Sequence, residues 1–306
     1  MTKTFLVVGE ALTDCALRGN SSTETPGGSP LNVAIGMGRL GEEVILAARV
    51  GHDARGLEIM EHAQASGVEL IEDADGLQRT STATATIAAD GSASYEFDLL
   101  WDVNSDMVPD TTFLHIHTGS IGATLEPGGS GVVEIVREHR AAGASVSYDP
   151  NVRPSIMGTP DDVRDRIEEL IGLSHIVKAS DEDIAWLYPN QSEDEVLSMW
   201  LSRGVSLAIL TKGAEGVLAL AAGHTVSLPT RASHVVDTIG AGDSFMAGLL
   251  VALQSRELLG PGALRLGDIA LEELEACVDF ALECAAITVS RAGANPPTFA
   301  DLGSRE

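Results

Sequence analysis

The residues best placed to do chemistry are 236–245, Val-Asp-Thr-Ile-Gly-Ala-Gly-Asp-Ser-Phe, which run into the apolar stretch 246–253. Gly240 and Gly242 let the backbone turn tightly, and the helical pattern that follows places free N–H groups at a helix start. The positive end of the helix dipole falls there, which makes an anion cradle. Asp243 sits in it with two roles open. It is a good helix cap worth about 1 kcal/mol, or it is a general base that accepts a hydroxyl proton while Gly240, Ala241 and Gly242 meet developing phosphoryl charge.

A second glycine pair, Gly27-Gly28, precedes Ser29-Pro30-Leu31-Asn32. Glycines allow close backbone approach to a ligand. Ser29 is expected to cap a helix with Pro30 at its first position. Asn32 in the first turn has a donor and an acceptor for a ligand hydroxyl. Asp14 follows the first strand as an acidic loop residue. Two tempting motifs are set aside. Gly36-Met37-Gly38-Arg39-Leu40-Gly41 matches GxGxxG but lies within a helical pattern, so its glycines serve packing rather than a dinucleotide. His115 and His117 share a strand face, too few for a zinc site. No Gly-Lys-Ser/Thr string exists, so a P-loop is excluded.

Asp-Thr-Ile-Gly-Ala-Gly-Asp-Ser-Phe resembles the C-terminal signature of the ribokinase-like (PfkB) carbohydrate kinases, and 27–34 with Arg39-Leu40-Gly41 resembles the N-terminal one. The resemblance covers nearly the whole chain. It implies an α/β three-layer sandwich with a mostly parallel sheet and a small β lid, and ATP-dependent phosphorylation of a sugar with Asp243 as base. By the same resemblance Asp14, Gly27, Gly28 and Asn32 bind the sugar. Asp149-Pro150-Asn151-Val152-Arg153-Pro154 is similar to fructokinase-like members and brings in Asn151 and Arg153. Ser180 and Asp183 fall where relatives carry NxxE, implying nucleotide contact and, for Asp183, Mg²⁺-bound water, with Glu182 as a rival. Thr211, Lys212, Gly213 and Gly216 resemble the TxGxxG nucleotide loop, and Asn295 joins them. Carbonyls around Asp237, Ile239, Arg291 and Gly293 would hold a monovalent cation such as K⁺. Fructose is the favoured substrate, with ribose, 2-keto-3-deoxygluconate or a nucleoside as alternatives. A catalytically silent sugar-binding protein and a nicotinamide-dependent oxidoreductase are the rivals from other classes.

Positioning such residues takes alternating strands and helices. Short β-rich runs are expected at 5–9, 44–50, 113–118, 145–149, 175–179, 207–211 and 216–220. Helical patterns fall at 30–40, 56–66, 130–142, 161–172, 192–203, 243–254 and 271–291. That rhythm predicts a parallel sheet covered by helices. It breaks at 80–97, where two alternating strands flank Asp90-Gly91, a hairpin dipeptide. An insertion near 80–102, joined by 12–26, would form a lid or a dimer edge on a single domain spanning 1–306, with Tyr95 and Phe97 beside the sugar.

The chain has 306 residues, 44% of them hydrophobic, and a formal charge of −26. That charge argues against nucleic-acid and anionic-membrane partners. Cys15, Cys277 and Cys284 form no CxxC pair and read as buried thiols. The start, Phe5-Leu6-Val7-Val8, has no signal-peptide pattern. A cytoplasmic enzyme is expected, with a lid-to-lid homodimer compatible with the hairpin.

Overall fold

The computed structural model describes residues 3–19, 21–71, 76–87, 93–221 and 223–303. Thirteen strands are β1 (Phe5–Val8), β2 (Leu12–Arg18), β3 (Ser21–Gly27), β4 (Val44–Ala47), β5 (Val68–Leu70), β6 (Thr82–Ile87), β7 (Ala93–Asp98), β8 (His115–Gly119), β9 (Ser145–Asp149), β10 (Ile176–Ser180), β11 (Leu207–Thr211), β12 (Val217–Ala221) and β13 (His224–Leu228). The helices are α1 (Ser29–Arg39), α2 (Ala54–Ala65), α3 (Ser120–Thr124), α4 (Gly128–Ala141), α5 (Pro154–Met157), α6 (Pro160–Leu173), α7 (Asp181–Leu187), α8 (Glu193–Ser202), α9 (Ala241–Gln254) and α10 (Leu271–Val289).

Nine strands form one sheet in the order β13-β12-β11-β10-β9-β8-β1-β4-β5. It is parallel from β5 to β11, and β12 and β13 extend it as an antiparallel edge. Strands β1 and β8 are both buried throughout: β1 reads as a continuous apolar run, whereas β8 buries His115, His117 and Thr118 by satisfying them with hydrogen bonds. Alternation decides which layer each side chain meets. Phe5 and Val7 join Leu31, Phe245 and Leu249 on one face, whereas Leu6 and Val8 join Val132, Ile167 and Trp200 on the other. Helices therefore cover both faces, as the βα rhythm requires.

The glycines of the rejected GxGxxG string do serve packing. A Cβ on Gly36 would come within 2.6 Å of the Ala247 side chain of α9, and one on Gly38 would strike the Ser66 carbonyl. The two histidines are likewise structural. His115 bridges Ser145 Oγ (2.6 Å) and Ser147 Oγ (2.8 Å), and His117 Nδ1 lies 2.8 Å from Ser147 Oγ. Burial keeps both imidazoles neutral, holding His115 well below its ordinary value and His117 down at about 3. All three cysteines are buried, and none forms a disulfide.

A second, four-stranded sheet in the order β3-β2-β6-β7 stands apart from the first. It is built from the two segments at 12–27 and 82–98, with β2 and β6 parallel between two hairpin partners. The Asp90-Gly91 turn and the Tyr95 side chain lie outside what is described. Asp53 caps α2 and also accepts from the Thr80 amide at 2.9 Å and the Thr80 hydroxyl at 2.6 Å. Arg55 of α2 binds Glu24 of β3 through two hydrogen bonds. These contacts fix the small sheet beside α2.

Candidate active site

A cleft of about 320 Å³ opens at the carboxyl ends of β1, β8, β9 and β10, under the small sheet. Parallel sheets bind ligands there, where the strand order reverses about the first strand. The wall comes from residues just past those strands: Glu10 after β1, Ser120 and Ile121 after β8, Asp149, Asn151 and Arg153 from β9 onward, and Lys178 from within β10. The segment Thr238–Asp243 closes one side.

Asp243 is the third residue of α9, two past the first helical position, with Gly240 as the cap residue at φ +74°. A Cβ on Gly240 would come within 2.7 Å of the Ala294 side chain, so both space and conformation demand glycine. The Ala241 amide donates to the Thr238 carbonyl at 3.2 Å. This corrects the expectation that Ala241 offers its N–H to an anion, because the turn closes on itself. First-turn helical amides have no intrahelical acceptor, so the Gly242 and Asp243 N–H groups remain for a ligand.

The Asp243 carboxylate is 8% exposed yet borders the cleft. Ser29 Oγ donates to its Oδ1 at 2.6 Å and Asn32 Nδ2 to its Oδ2 at 2.8 Å. Two predicted roles change here. Ser29 begins α1 with no cap bond of its own, Gly28 being the cap residue, and its hydroxyl orients Asp243 instead. Asn32 commits a donor to the same carboxylate. Helices α1 and α9 thus cross so that one presents the other's acid in a single rotamer.

Gly28 has φ +106°, and a Cβ there would lie 2.8 Å from the Glu10 carbonyl. One on Gly27 would collide with the Asp14 carboxylate. The glycine pair therefore lets α1 begin directly against the acidic end of β1. Across the small sheet, Asp14 pairs with Ala83 and Ala83 with Phe97 in one row, and all three line the cleft. Arg153 Nη1 donates to Asn151 Oδ1 at 2.7 Å, which steers the guanidinium. Asn151 and Ser120 hold φ of +39° and +57°, uncommon for side-chain-bearing residues and clustered here where neighbouring structure sustains them.

The electrostatics are unusual. Burial pushes Glu10 up to about 7, against hydrogen bonds from backbone amides and Ser120. Burial likewise raises Asp14 to about 6, with Arg153 opposing and Asp243 assisting. Asp149 is also raised by burial, with its ion-pair partner Lys178 opposing. Lys178 Nζ lies 2.8 Å from Asp149 Oδ2. Burial alone would discharge Lys178, but Asp149, Asp183 and Asp243 together outweigh it and raise its pKa. Its Nζ is 3.0 Å from where a Cβ on Gly242 would stand, directly against the amide turn. Sequence reasoning overlooked Lys178, Glu10, Ser120 and Asp149. Lys178 did leave a signal: it is one of only three lysines and falls inside an apolar strand.

The expected nucleotide residues lie outside this cleft's lining, several with other partners. Ser180 caps α7 and donates to Asp183 Oδ2 at 2.8 Å. Asp183 also accepts from the Ser180 amide at 2.7 Å and the Val152 amide at 2.8 Å. Its carboxylate is committed to the backbone, a structural task in place of the expected metal-water one. Glu182, the rival, is exposed. Thr211 Oγ1 donates to the Ala179 carbonyl at 3.3 Å, and Lys212 pairs with Glu193 at 3.0 Å, which neutralises the charge expected for phosphates. Gly213 and Gly216 shape the turn into β12, both at positive φ. Asn295 Oδ1 accepts from Arg39 Nη1 at 2.6 Å. The cation residues do come together: Asp237 accepts from the Ile239 amide at 3.1 Å and the Gly293 amide at 2.9 Å. The Arg291 guanidinium pairs with Asp301 at 2.8 Å.

Comparison with known proteins agrees with this fold. Residues 3–300 match the model of the pfkB family carbohydrate kinases. A fructokinase of Klebsiella pneumoniae is 31% identical over 279 residues, covering 87% of this chain and 90% of its own. One of Rhizobium leguminosarum bv. trifolii is 33% identical, covering 83% and 81%. Among solved structures, a Vibrio cholerae fructokinase double mutant bound to fructose, ADP and potassium superimposes with a TM-score of 0.81 at 25% identity, over 98% of this chain and 97% of that one. An aminoimidazole riboside kinase of Salmonella enterica gives 0.80 at 27%, over 95% of each chain. The chain belongs to the pfkB family of carbohydrate kinases.

Proposed function

We propose that this chain transfers the γ-phosphoryl group of ATP to a hydroxyl of a free hexose, fructose before others, with Asp243 as the general base. The observation that carries the reading is the Asp243 carboxylate, held by Ser29 and Asn32 beside two free helix-start amides and the Lys178 ammonium. The sugar oxygen attacks the γ-phosphorus, its proton passes to Asp243, and the bond from phosphorus to ADP breaks. The Gly242 and Asp243 amides and Lys178 face the charge that develops on the phosphoryl oxygens.

Asp14, Gly28, Asn32, Asn151 and Arg153 surround the sugar, and Phe97 supplies an apolar wall. The small sheet acts as a lid that excludes water, so that ATP is not hydrolysed. Fructose as the acceptor draws support from relatives named fructokinase in Klebsiella and Rhizobium and from the fructose-bound Vibrio structure. ATP draws support from a Xylella fastidiosa fructokinase solved with it, of TM-score 0.83 at 25% identity. Mg²⁺ arriving with the nucleotide would neutralise phosphate charge, and the commitment of Asp183 leaves the exposed Glu182 at the α7 start as the carboxylate for it. The loop joined by Asp237 would hold K⁺ through its carbonyls. Buried thiols that form no disulfide fit a reducing cytoplasm. Among the described residues no helix is long and apolar enough to cross a membrane. The exposed edge strand β3 suits a lid-to-lid homodimer.

The likeness to the riboside kinase supports a second reading, a nucleoside-like acceptor. A panel of fructose, ribose, 2-keto-3-deoxygluconate and nucleosides with ATP and Mg²⁺, followed by ADP release, separates the two. Fructose is expected to give the largest kcat/KM; a strong preference for a nucleoside overturns the hexose assignment, and no turnover with any acceptor overturns the kinase reading.

A further inference from the structure

A second cleft, of about 450 Å³, lies at the opposite end of the sheet from the catalytic one. It is framed by the ends of α4 and α6, the segments leading into β9 and β10, and the 3₁₀ segment Gly260–Asp268. Among the described residues no acidic one lines it, although the chain has 45 acidic against 19 basic side chains. Instead it gathers Arg137, Arg140 and His175. Arg137 is paired with Glu169, whereas Arg140 has no carboxylate partner among the described residues. His175 Nδ1 accepts from the Val146 amide at 3.0 Å. In the neutral ring the proton then sits on Nε2, which becomes a donor. Burial, reinforced by the Arg140 charge, lowers His175 to about 4, so this tautomer prevails at neutral pH. The rest of the wall is apolar, with Leu173, Pro261 and Leu264, the last 84% exposed.

Arg140 stands in the last turn of α4 and answers that helix's negative end. A guanidinium has five donors in a planar fork, however, and an exposed one keeps several for a ligand. The Arg140 guanidinium and an imidazole N–H beside apolar side chains, with Arg137 sharing its charge with Glu169 at the margin, match an oxyanion joined to an apolar body. We infer that this cleft binds a small organic anion, a phosphate monoester or a carboxylate, at a site separate from catalysis.

The test is calorimetric titration with phenyl phosphate and with benzoate, the catalytic cleft being filled by sugar and a non-hydrolysable ATP analogue. At least one probe is expected to bind saturably at millimolar concentration, and the pair tells phosphate from carboxylate recognition. Arg140→Ala should weaken it at least about tenfold, the loss of one charge-assisted contact. Arg140→Lys should weaken it less, and neither should change kcat without the probe. Failure of both probes to bind, or equal binding by Arg137→Ala/Arg140→Ala with an unchanged melting temperature, overturns the site. Neither result touches the kinase reading, which rests on the other cleft.

Discussion

Lys178→Met keeps the aliphatic stem that fills the β10 interior and removes only the ammonium. Two effects follow. Lost pairing with Asp149 normally strands a buried charge, which costs about 3–5 kcal/mol. Here Asp149 is already raised to about 6 with Lys178 holding it down, so without the lysine it rises further and takes up a proton at pH 7. The penalty is then that of an imperfectly bonded neutral acid, about 1–3 kcal/mol. Lys178→Met/Asp149→Asn should recover part of the stability but none of the rate. The second effect is on turnover. At an effective dielectric constant near 20, a unit charge about 6 Å from the phosphoryl oxygens is worth roughly 3 kcal/mol. A loose transition state redistributes part of a charge, so about ten- to hundredfold in kcat is expected. ADP release at saturating sugar and ATP gives kcat, and thermal unfolding gives stability. A folded Lys178→Met protein with kcat within twofold of the native one would refute the placement of this ammonium at the phosphoryl group.

Asp243→Asn should fold, because the amide oxygen can still accept from Asn32 while its NH₂ donates to a rotated Ser29 hydroxyl; it should bind sugar and lose at least about 10²-fold in turnover. Retained turnover in the folded variant dismisses the base. Gly240→Ala meets a left-handed backbone and the Ala294 side chain, and should cost about 1–3 kcal/mol in unfolding free energy together with most of the activity; chemical denaturation and ADP release check both. Protonated Asp14 loses acceptor capacity for sugar hydroxyls, so KM for the sugar should rise as pH falls through about 6, and a KM flat from pH 7 to 5 removes Asp14 from sugar binding. The raised acids Glu10 and Asp14 bind more protons folded than unfolded. Their contribution to stability is complete below about pH 4 and lost as pH rises to about 6–7, so Glu10→Gln should flatten that decline in melting temperature.

The parallel core was legible because β1 is an apolar run and β8 and β9 are short β-rich segments, all bounded by glycine or aspartate, and the structure returns them within two residues. Strand β3, with five exposed residues of Ser-Ser-Thr-Glu-Thr, has no apolar period, and only pairing with β2 makes it a strand. The short helices α3 and α7 begin where a strand ends and are too brief to show a 3.6-residue period. At the site, Asp243, Asp14 and Arg153 were readable from motifs. Partnerships were not: Ser29 and Asp243 are 214 positions apart, and Lys178 meets Asp149 through strand adjacency that no local pattern encodes.

Those partnerships explain how so acidic a cleft can take an anion. Glu10, Asp14, Asp149 and Asp243 would repel phosphate if all were bare carboxylates. Glu10, raised to about 7, is about half neutral at that pH. Asp149 is paired with Lys178, and Asp243 is tied to two donors. Positive potential is confined to Lys178 and the Gly242 amide on one wall and to Arg153 on another. Field lines between low-dielectric walls converge on such points, so an anion is drawn to the turn ahead of Asp243 rather than to the acidic floor. The same arrangement orders the two substrates. A neutral sugar meets little electrostatic barrier at Asp14 and Glu10, whereas a phosphate finds favourable charge at the glycine turn with Lys178 and, on the other wall, at Arg153. On the proposed reading, reaction is thereby confined to the narrow zone where the Asp243 carboxylate faces both.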